Sequence, residues 1–234
     1  MRVRVAFTPQ ENVATPLAIA VDVLRATSTI CQALAGGYEE VVCVPGIDEA
    51  RAHAARDRGV ALAGERGCVR VDGFDFGNSP REFVNGAPAA SRLVLTTTNG
   101  TRLLLAAAAR CETVLVGSLL NLRALVDAAR ASGTSEVAIL CAGVEGEFAL
   151  DDAYCAGRIA EALGGEPADS AEAAIRLSTA FASHEDALGA STSAVNLRVA
   201  GLDDDIAWCA QESLLGVVPR IVARTGDSVR IACA

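Results

Sequence analysis

Short apolar runs of β type alternate with helix-type segments along most of this chain, and that exchange of periods leaves few architectures open. The β-type runs are Leu17 to Val23, Val41 to Val44, Leu93 to Thr96, Thr113 to Val116 and Val137 to Cys141, with a strand-like Val3 to Phe7 before them. Between them lie helix-type segments at Ser28 to Ala35, Ile47 to Arg58, Thr101 to Ala109, Leu122 to Ala131 and Asp152 to Leu163. Such alternation predicts an α/β fold, with largely parallel or mixed sheets flanked by helices. Hydrophobic residues make up 51% of the 234 residues, enough to core one large domain or two small lobes. After Gly164-Gly165-Glu166-Pro167 the texture changes: Ser170 to Ala182 reads as helix, Ser191 to Val199 and Asp204 to Leu214 as short helices, and Val217 to Ala223 with Val229 to Ala232 as closing strands. Residues 1–234 are expected to form one domain, with Gly164 to Pro167 the candidate linker between two α/β lobes.

Composition removes several chemistries. All twenty basic residues are Arg and none is Lys, which excludes a P-loop lysine, a Schiff-base lysine and a lysine general base. Any phosphate chemistry falls to Arg, backbone N–H groups or a metal. The eight Cys sit irregularly in apolar runs with no CxxC pair, so they read as small buried hydrophobes and not as a disulfide framework or zinc site. A net charge of −9 offers no basic stripe for nucleic acid. No apolar run approaches the roughly 20 residues of a membrane span, and no signal-peptide core precedes Val3. The expectation is a cytoplasmic protein with a small anionic partner, and a homo-oligomer is compatible with the sequence. The two histidines are scattered: His53 reads as a helix-surface residue and His184 as a turn residue with a remote claim to acid/base work. There is no GxSxG elbow, GxGxxG loop or DxDx(T/V) start.

Polar residues collect just beyond the carboxyl ends of the expected strands, where open α/β sheets bind ligands. The first core run leads into Asp22, Arg25, Thr27 and Ser28; another into Thr96-Thr97-Thr98-Asn99-Gly100-Thr101-Arg102; others into Gly117-Ser118 and into Gly143 followed by Asp151-Asp152. The Thr96 to Arg102 turn reads either as an anion cradle of first-turn N–H groups, hydroxyls and Arg102, or as an ordinary helix N-cap by Thr98 or Asn99. Asp22 reads as a cap, an ion-pair partner, a metal ligand or a catalytic acid. Glu65, between Gly64 and Gly67, is either a solvated turn residue or a hard-cation ligand. Asp75 stands between Phe74 and Phe76 in Gly73 to Pro80, either as a site acid held in a part-apolar setting or in a loop staple.

Taken together, Asp22 to Thr29, Gly64 to Gly67, Gly73 to Pro80, Thr96 to Arg102, Gly117 to Asn121, and Cys141 to Gly143 with Phe148 to Asp152 resemble the 2-phosphosulfolactate phosphatases. Gly201 to Ile206 and Val217 to Pro219 extend the resemblance, which covers nearly the whole chain in order. It implies a Mg²⁺-dependent phosphatase that converts 2-phospho-3-sulfolactate to sulfolactate and phosphate, on a route to coenzyme M, with a family-specific fold of two α/β lobes and the site between them. Two positions depart from the pattern: Asp151-Asp152 stands where Glu-Asp is expected, and Gln211-Glu212 follows Ala210 where an acid is expected.

Resemblance and residue chemistry then suggest roles. Phosphoryl transfer asks mainly for positioning and charge neutralisation. Asp22, Glu65 and Asp152 are the expected metal ligands, with Asp75 a fourth candidate and Asp22 and Asp75 the catalytic acids. Arg25, Thr27, Arg102 and the turn Thr97, Thr98, Asn99, Gly100 and Thr101 are expected to hold phosphate or sulfonate. Asn78 and Ser118 are assigned to the substrate carboxylate. Attack by water and attack by Asp22 itself both stay open. Asp151 is expected to point to another face of its helix than Asp152 and to tolerate Asn. A non-hydrolytic enzyme and a metabolite-binding protein are the rival functions.

Overall fold

The run Leu17–Val21 shows how the pleat sorts this chain: Leu17, Ile19 and Val21 enter one core, while Ala18 and Ala20 enter another. The computed structural model describes residues 1–57, 59–85 and 90–233. In chain order its first half contains β1 (Arg2–Ala6), β2 (Leu17–Val21), α1 (Ala26–Ala35), β3 (Glu40–Cys43), α2 (Ile47–Arg56), β4 (Val60–Arg66), β5 (Val69–Arg70), β6 (Arg92–Thr96) and α3 (Gly100–Ala108). There follow β7 (Thr113–Gly117), α4 (Leu122–Ala131), β8 (Glu136–Cys141), α5 (Leu150–Leu163), β9 (Glu166–Pro167), α6 (Asp169–Ser178), α7 (His184–Gly189), α8 (Thr192–Val199), α9 (Asp204–Cys209), β10 (Pro219–Thr225) and β11 (Ser228–Cys233).

The α/β expectation holds, in the form of one mixed sheet of 11 strands ordered β5-β4-β6-β3-β11-β10-β7-β2-β8-β1-β9. Strands β7, β2, β8, β1 and β9 run parallel to one another, and so do β3, β6 and β4. The antiparallel hairpin β10–β11 joins the two sets. Because each pairing at the hairpin reverses direction, β6 runs opposite to β2 along the sheet. Five steps separate β2 from β6, and twist accumulates to about 100° over them. Strands from both sets send residues into a common core around α1 and α3: Ala18, Ala20, Val116 and Leu140 from one, Val41, Ala63, Leu93 and Leu95 from the other, with Ile30 and Leu104 between. The sheet therefore wraps these two helices, and the carboxyl ends of β2 and β6 meet. On the opposite face α4, α5 and the helices after β9 cover β1, β2 and β8, while α2 covers β4 and β6.

Several boundaries differ from the expected ones. The helix expected over Ile47 to Arg58 is α2, and Arg58 lies outside the described residues. The stretch Gly164 to Pro167 ends α5 and becomes edge strand β9, paired with β1. The helix expected over Ser170 to Ala182 stops at Ser178, and that over Asp204 to Leu214 stops at Cys209; His184 opens the short α7. Strand β4 is not expected from the sequence, because Ala61, Ala63 and Gly64 interrupt its β-type residues. A Cβ at Gly64 would stand 2.5 Å from the carbonyl oxygen of Thr96 on neighbouring β6, so close backbone approach and not a turn explains that glycine. All eight cysteines are free thiols. No helix among the described residues is long and apolar enough to cross a membrane.

Candidate active site

Four loops that follow strand ends line one open cavity of about 660 Å³: Asp22, Leu24 and Arg25 after β2, Glu65, Gly67 and Cys68 around the end of β4, Thr97 to Asn99 after β6, and Val144 with Glu145 after β8. Asn78, Ser193 and Asn196 complete its wall.

Asp22 sits where β2 ends and α1 has yet to begin, and its backbone is held from both sides. The Thr27 hydroxyl donates to the Asp22 carbonyl at 2.8 Å and accepts the Asp22 N–H at 3.0 Å. The side chain accepts the Ala26 N–H through Oδ1 at 3.1 Å. Gly100, at the start of α3, leaves room for the other oxygen; a Cβ there would lie 2.6 Å from Asp22 Oδ2 and 2.4 Å from the Ala26 Cβ. Burial pushes the Asp22 carboxyl up from 3.8 to about 7; the Ala26 N–H opposes this, Asp151 and Glu65 add to it, and Arg25 opposes it.

The other acids have distinct settings. Glu65 is buried and accepts three hydrogen bonds, the Cys68 N–H through Oε2 at 2.9 Å and both the N–H and hydroxyl of Thr98 through Oε1 at 2.8 and 2.9 Å, which leaves a lone pair of Oε2 open. It ties the end of β4 to the loop after β6. Asp152 does not line the cavity. Its carboxylate accepts the Val23 N–H at 2.9 Å and the Gly143 N–H at 3.0 Å, bridging the ends of β2 and β8 from behind. Burial, then Asp151 and Asp22, raise its carboxyl well above the usual range. Asp151 turns, as expected, to other partners than Asp152: it is 2% exposed, accepts the Ser193 hydroxyl at 3.1 Å, and burial lifts it to about 6 despite that bond.

Arg25 is 4% exposed; it donates to Asp205 Oδ2 at 2.6 Å and to the Cys68 carbonyl at 3.3 Å. The turn before α3 is more closed than an anion cradle requires. The Thr97 N–H goes to the Thr101 hydroxyl and the Thr101 N–H to the Thr97 hydroxyl, each at 3.1 Å. Thr97 thus caps the helix start, in place of Thr98 or Asn99. Asn99 accepts the Glu145 N–H at 3.2 Å instead.

Of the residues expected at the site, Asp22, Arg25, Glu65, Asn78, Thr97, Thr98 and Asn99 meet in the cavity. Thr27, Gly100, Thr101 and Asp152 stand behind it and fix its walls. Three are not brought there. Asp75 is exposed, outside any part-apolar pocket, and accepts the Leu62 N–H at 2.8 Å, stapling its loop to β4 while Phe74 is buried and Phe76 packs on Phe83. Arg102 is exposed on α3. Ser118 is buried at a turn where its N–H donates to Asn121. His184 also lies elsewhere, hydrogen-bonded to Tyr154 and paired with Glu212. Sequence reading missed Asp205 and Ser79, because in Asp203-Asp204-Asp205 only folding shows which acid is buried.

Among the described residues no group of three or more His, Cys, Asp or Glu is arranged to hold a metal. Mg²⁺ asks for less, one or two carboxylates with water and substrate oxygens. The cavity fits that demand: its donors are oxygens, and Asn78 Oδ1 is buried without a hydrogen-bond partner among the described residues. Its acids also repel one another, which a hard cation relieves.

The pattern that defines the 2-phosphosulpholactate phosphatase family matches residues 3–224. A probable 2-phosphosulfolactate phosphatase of Thermus thermophilus is 41% identical over 234 residues, covering 98% of each chain. One of Deinococcus radiodurans, also named probable, is 38% identical over 233 residues, 98% of this chain and 96% of that one. The 2-phosphosulfolactate phosphatase of Methanothermobacter thermautotrophicus is 40% identical over 219 residues, 94% of this chain and 92% of its own. Similarity of that degree, sustained from β1 into β10, is kinship: the chain belongs to the 2-phosphosulfolactate phosphatase family.

Proposed function

We propose that this protein is a Mg²⁺-dependent phosphoric monoester hydrolase that converts 2-phospho-3-sulfolactate, or a small phosphorylated acid like it, to the hydroxy acid and inorganic phosphate. The observation that carries the reading is the convergence of Asp22 and Arg25 with Glu65 and the Thr97–Asn99 turn in one cavity at strand ends. The family's name supplies the substrate. Arg25 orients the phosphoryl oxygens, since guanidinium suits planar oxyanion pairing and no lysine is present to share the task. Asp22 is the catalytic carboxylate. Either it takes a proton from an attacking water, or it attacks phosphorus itself and water then hydrolyses the aspartyl-phosphate to inorganic phosphate and free carboxylate; in both cases the bond from phosphorus to the ester oxygen breaks and that oxygen, still on the substrate carbon, takes up a proton. Mg²⁺ would be held by Asp22 and Glu65, with the side-chain oxygen Oδ1 of Asn78 as a further candidate ligand, and would supply positive charge to the phosphoryl group.

The test is phosphate release from 2-phospho-3-sulfolactate by the purified protein, with and without chelator. Turnover that stops in chelator and returns with Mg²⁺ is expected. Full turnover in excess chelator removes the metal from the reading, and substrate loss without free phosphate makes the enzyme non-hydrolytic. Rapid quench then separates the two attacks: hydroxylamine-sensitive phosphate on the protein identifies Asp22 as nucleophile.

A further inference from the structure

Arg25 borders two cavities. Besides the one already described, an adjoining cavity of about 710 Å³ is lined by Arg25, Cys68, Asn78 and Ser79 together with residues nearer the surface. A side chain at such a partition must be held in place, and Arg25 is long, with rotamer freedom that a bound anion alone would have to freeze. The fold freezes it beforehand. Its NH1 donates to Asp205 Oδ2 at 2.6 Å and its NH2 to the Cys68 carbonyl at 3.3 Å, with both side chains of the ion pair almost wholly buried. Asp205 is itself held: the Ser79 hydroxyl donates to its second oxygen, Oδ1, at 2.5 Å.

Asp205 lies in the first turn of α9 and Ser79 ends the loop that carries Asn78, so the guanidinium is tied directly to two segments, at Cys68 and Asp205, and through Asp205 to a third. A guanidinium has five N–H donors. Two are committed among the described residues, which leaves donors for a ligand. A buried pair of this kind is weak evidence for stability, because burying both charges offsets their attraction. Its value lies in orientation.

We infer that Asp205 is a positioning residue, which acts through Arg25 to fix the oxyanion-binding fork at the boundary of the two cavities, with Ser79 holding Asp205 in turn. The inference rests on the reading of Arg25 as a ligand of the substrate phosphoryl group. Asp205 touches no substrate itself; its effect travels through the guanidinium, and so it should appear in affinity more than in the chemical step.

A double-mutant cycle tests this, with steady-state kinetics on 2-phospho-3-sulfolactate and inhibition by inorganic phosphate measured for Asp205→Asn, Arg25→Ala and the pair. Asp205→Asn is expected to raise KM and the phosphate inhibition constant by about tenfold in the native background, with kcat within about threefold. In the Arg25→Ala background it should change either by less than about twofold. Equal losses in both backgrounds overturn the positioning role while leaving Arg25 a ligand. If Arg25→Ala turns over and is inhibited like the native enzyme, the reading of Arg25 fails and the inference with it. Should Asp205→Asn not fold, Ser79→Ala decides: a KM rise of several-fold that vanishes beside Arg25→Ala supports the relay, and unchanged KM overturns it.

Discussion

At Asp22 burial lifts the carboxyl from 3.8 to about 7, and the sign of its effect on stability follows. A raised folded-state pKa means that the native protein binds this proton more tightly than the unfolded chain does. The contribution is therefore fully present below about pH 4 and is lost as pH rises through about 7. Asp22→Asn keeps an acceptor for the Ala26 N–H and removes the charge. In metal-free protein the variant is expected to melt higher than the native chain at pH 8, by on the order of 2–4 kcal/mol, with the difference closing near pH 4. Its turnover should fall by several orders of magnitude, and near-native turnover would end Asp22's role in both routes of attack. Asp151 raises the same carboxyl by its charge, so Asp151→Asn is expected to move the acid limb of the kcat/KM profile to lower pH. The two arginines separate cleanly. Arg25→Lys should impair binding, because an ammonium cannot reproduce the fork that Asp205 and the Cys68 carbonyl orient. Arg102→Lys, on the exposed side of α3, should leave kinetics unchanged, and a clear rise in KM there would place Arg102 in the substrate path after all.

Helix α3 begins against Asp22, and the contact depends on the missing side chain at Gly100. Alanine there gains about 1 kcal/mol of helix propensity, yet its Cβ meets the Ala26 Cβ and Asp22 Oδ2 well inside van der Waals distance. The clash should dominate. Gly100→Ala is expected to cost about 1–3 kcal/mol in melting experiments and about a hundredfold in kcat through displacement of the carboxylate. Native activity in a stable Gly100→Ala protein would mean that α3 can retreat freely. The elements that sequence made legible are those with an unmixed period: β2, β6, β7 and β8 are apolar runs, and α4 has a clean amphipathic stripe. What lay beneath the periodicity was cross-chain geometry. The Glu65 segment reads as a turn because Ala61, Ala63 and Gly64 carry little β signal, although the missing side chain of Gly64 is what lets β4 lie close against β6 while Ala61 and Ala63 enter the shared core. The site residues Asp22, Arg25, Glu65 and Thr97–Asn99 were legible because strand-end polarity marks a crevice. Asp75 and Arg102 shared that polarity but face outward, and Asp205 was hidden because its partner lies 180 positions away.

Across the whole molecule, the site draws on two parallel sets of strands that the hairpin β10–β11 joins. Asp22 and Asp152 belong with the set around β2 and β8, whereas Glu65 and Thr98 belong with the set around β4 and β6. The hydrogen bonds of Glu65 to Thr98 fix one set internally, and those of Asp152 to Val23 and Gly143 fix the other. Their mutual distance rests on the hydrogen bonds that cross between them, from Arg25 to the Cys68 carbonyl and from the Glu145 N–H to Asn99, on the wrapped core and on the hairpin. Pairing there is uneven. Strand β11 pairs with β3 through Val229, Arg230 and Ile231, but β10 meets β7 at the single pair Arg220 and Leu115. Side-chain packing must therefore carry much of the junction, and Val229 and Ile231, both 0% exposed, enter the core that α1 and α3 share with both sets. Ile231→Ala removes packing from that core without touching the cavity, and is expected to cost about 2–5 kcal/mol. If the junction sets the spacing of the site, kcat/KM in this variant should fall well below the native value even at temperatures where circular dichroism shows it fully folded. A folded Ile231→Ala protein with native kcat/KM would mean that the two sets keep their spacing through α1, α3 and the hydrogen bonds that cross between them, and that the hairpin contributes stability but no part of the site's geometry.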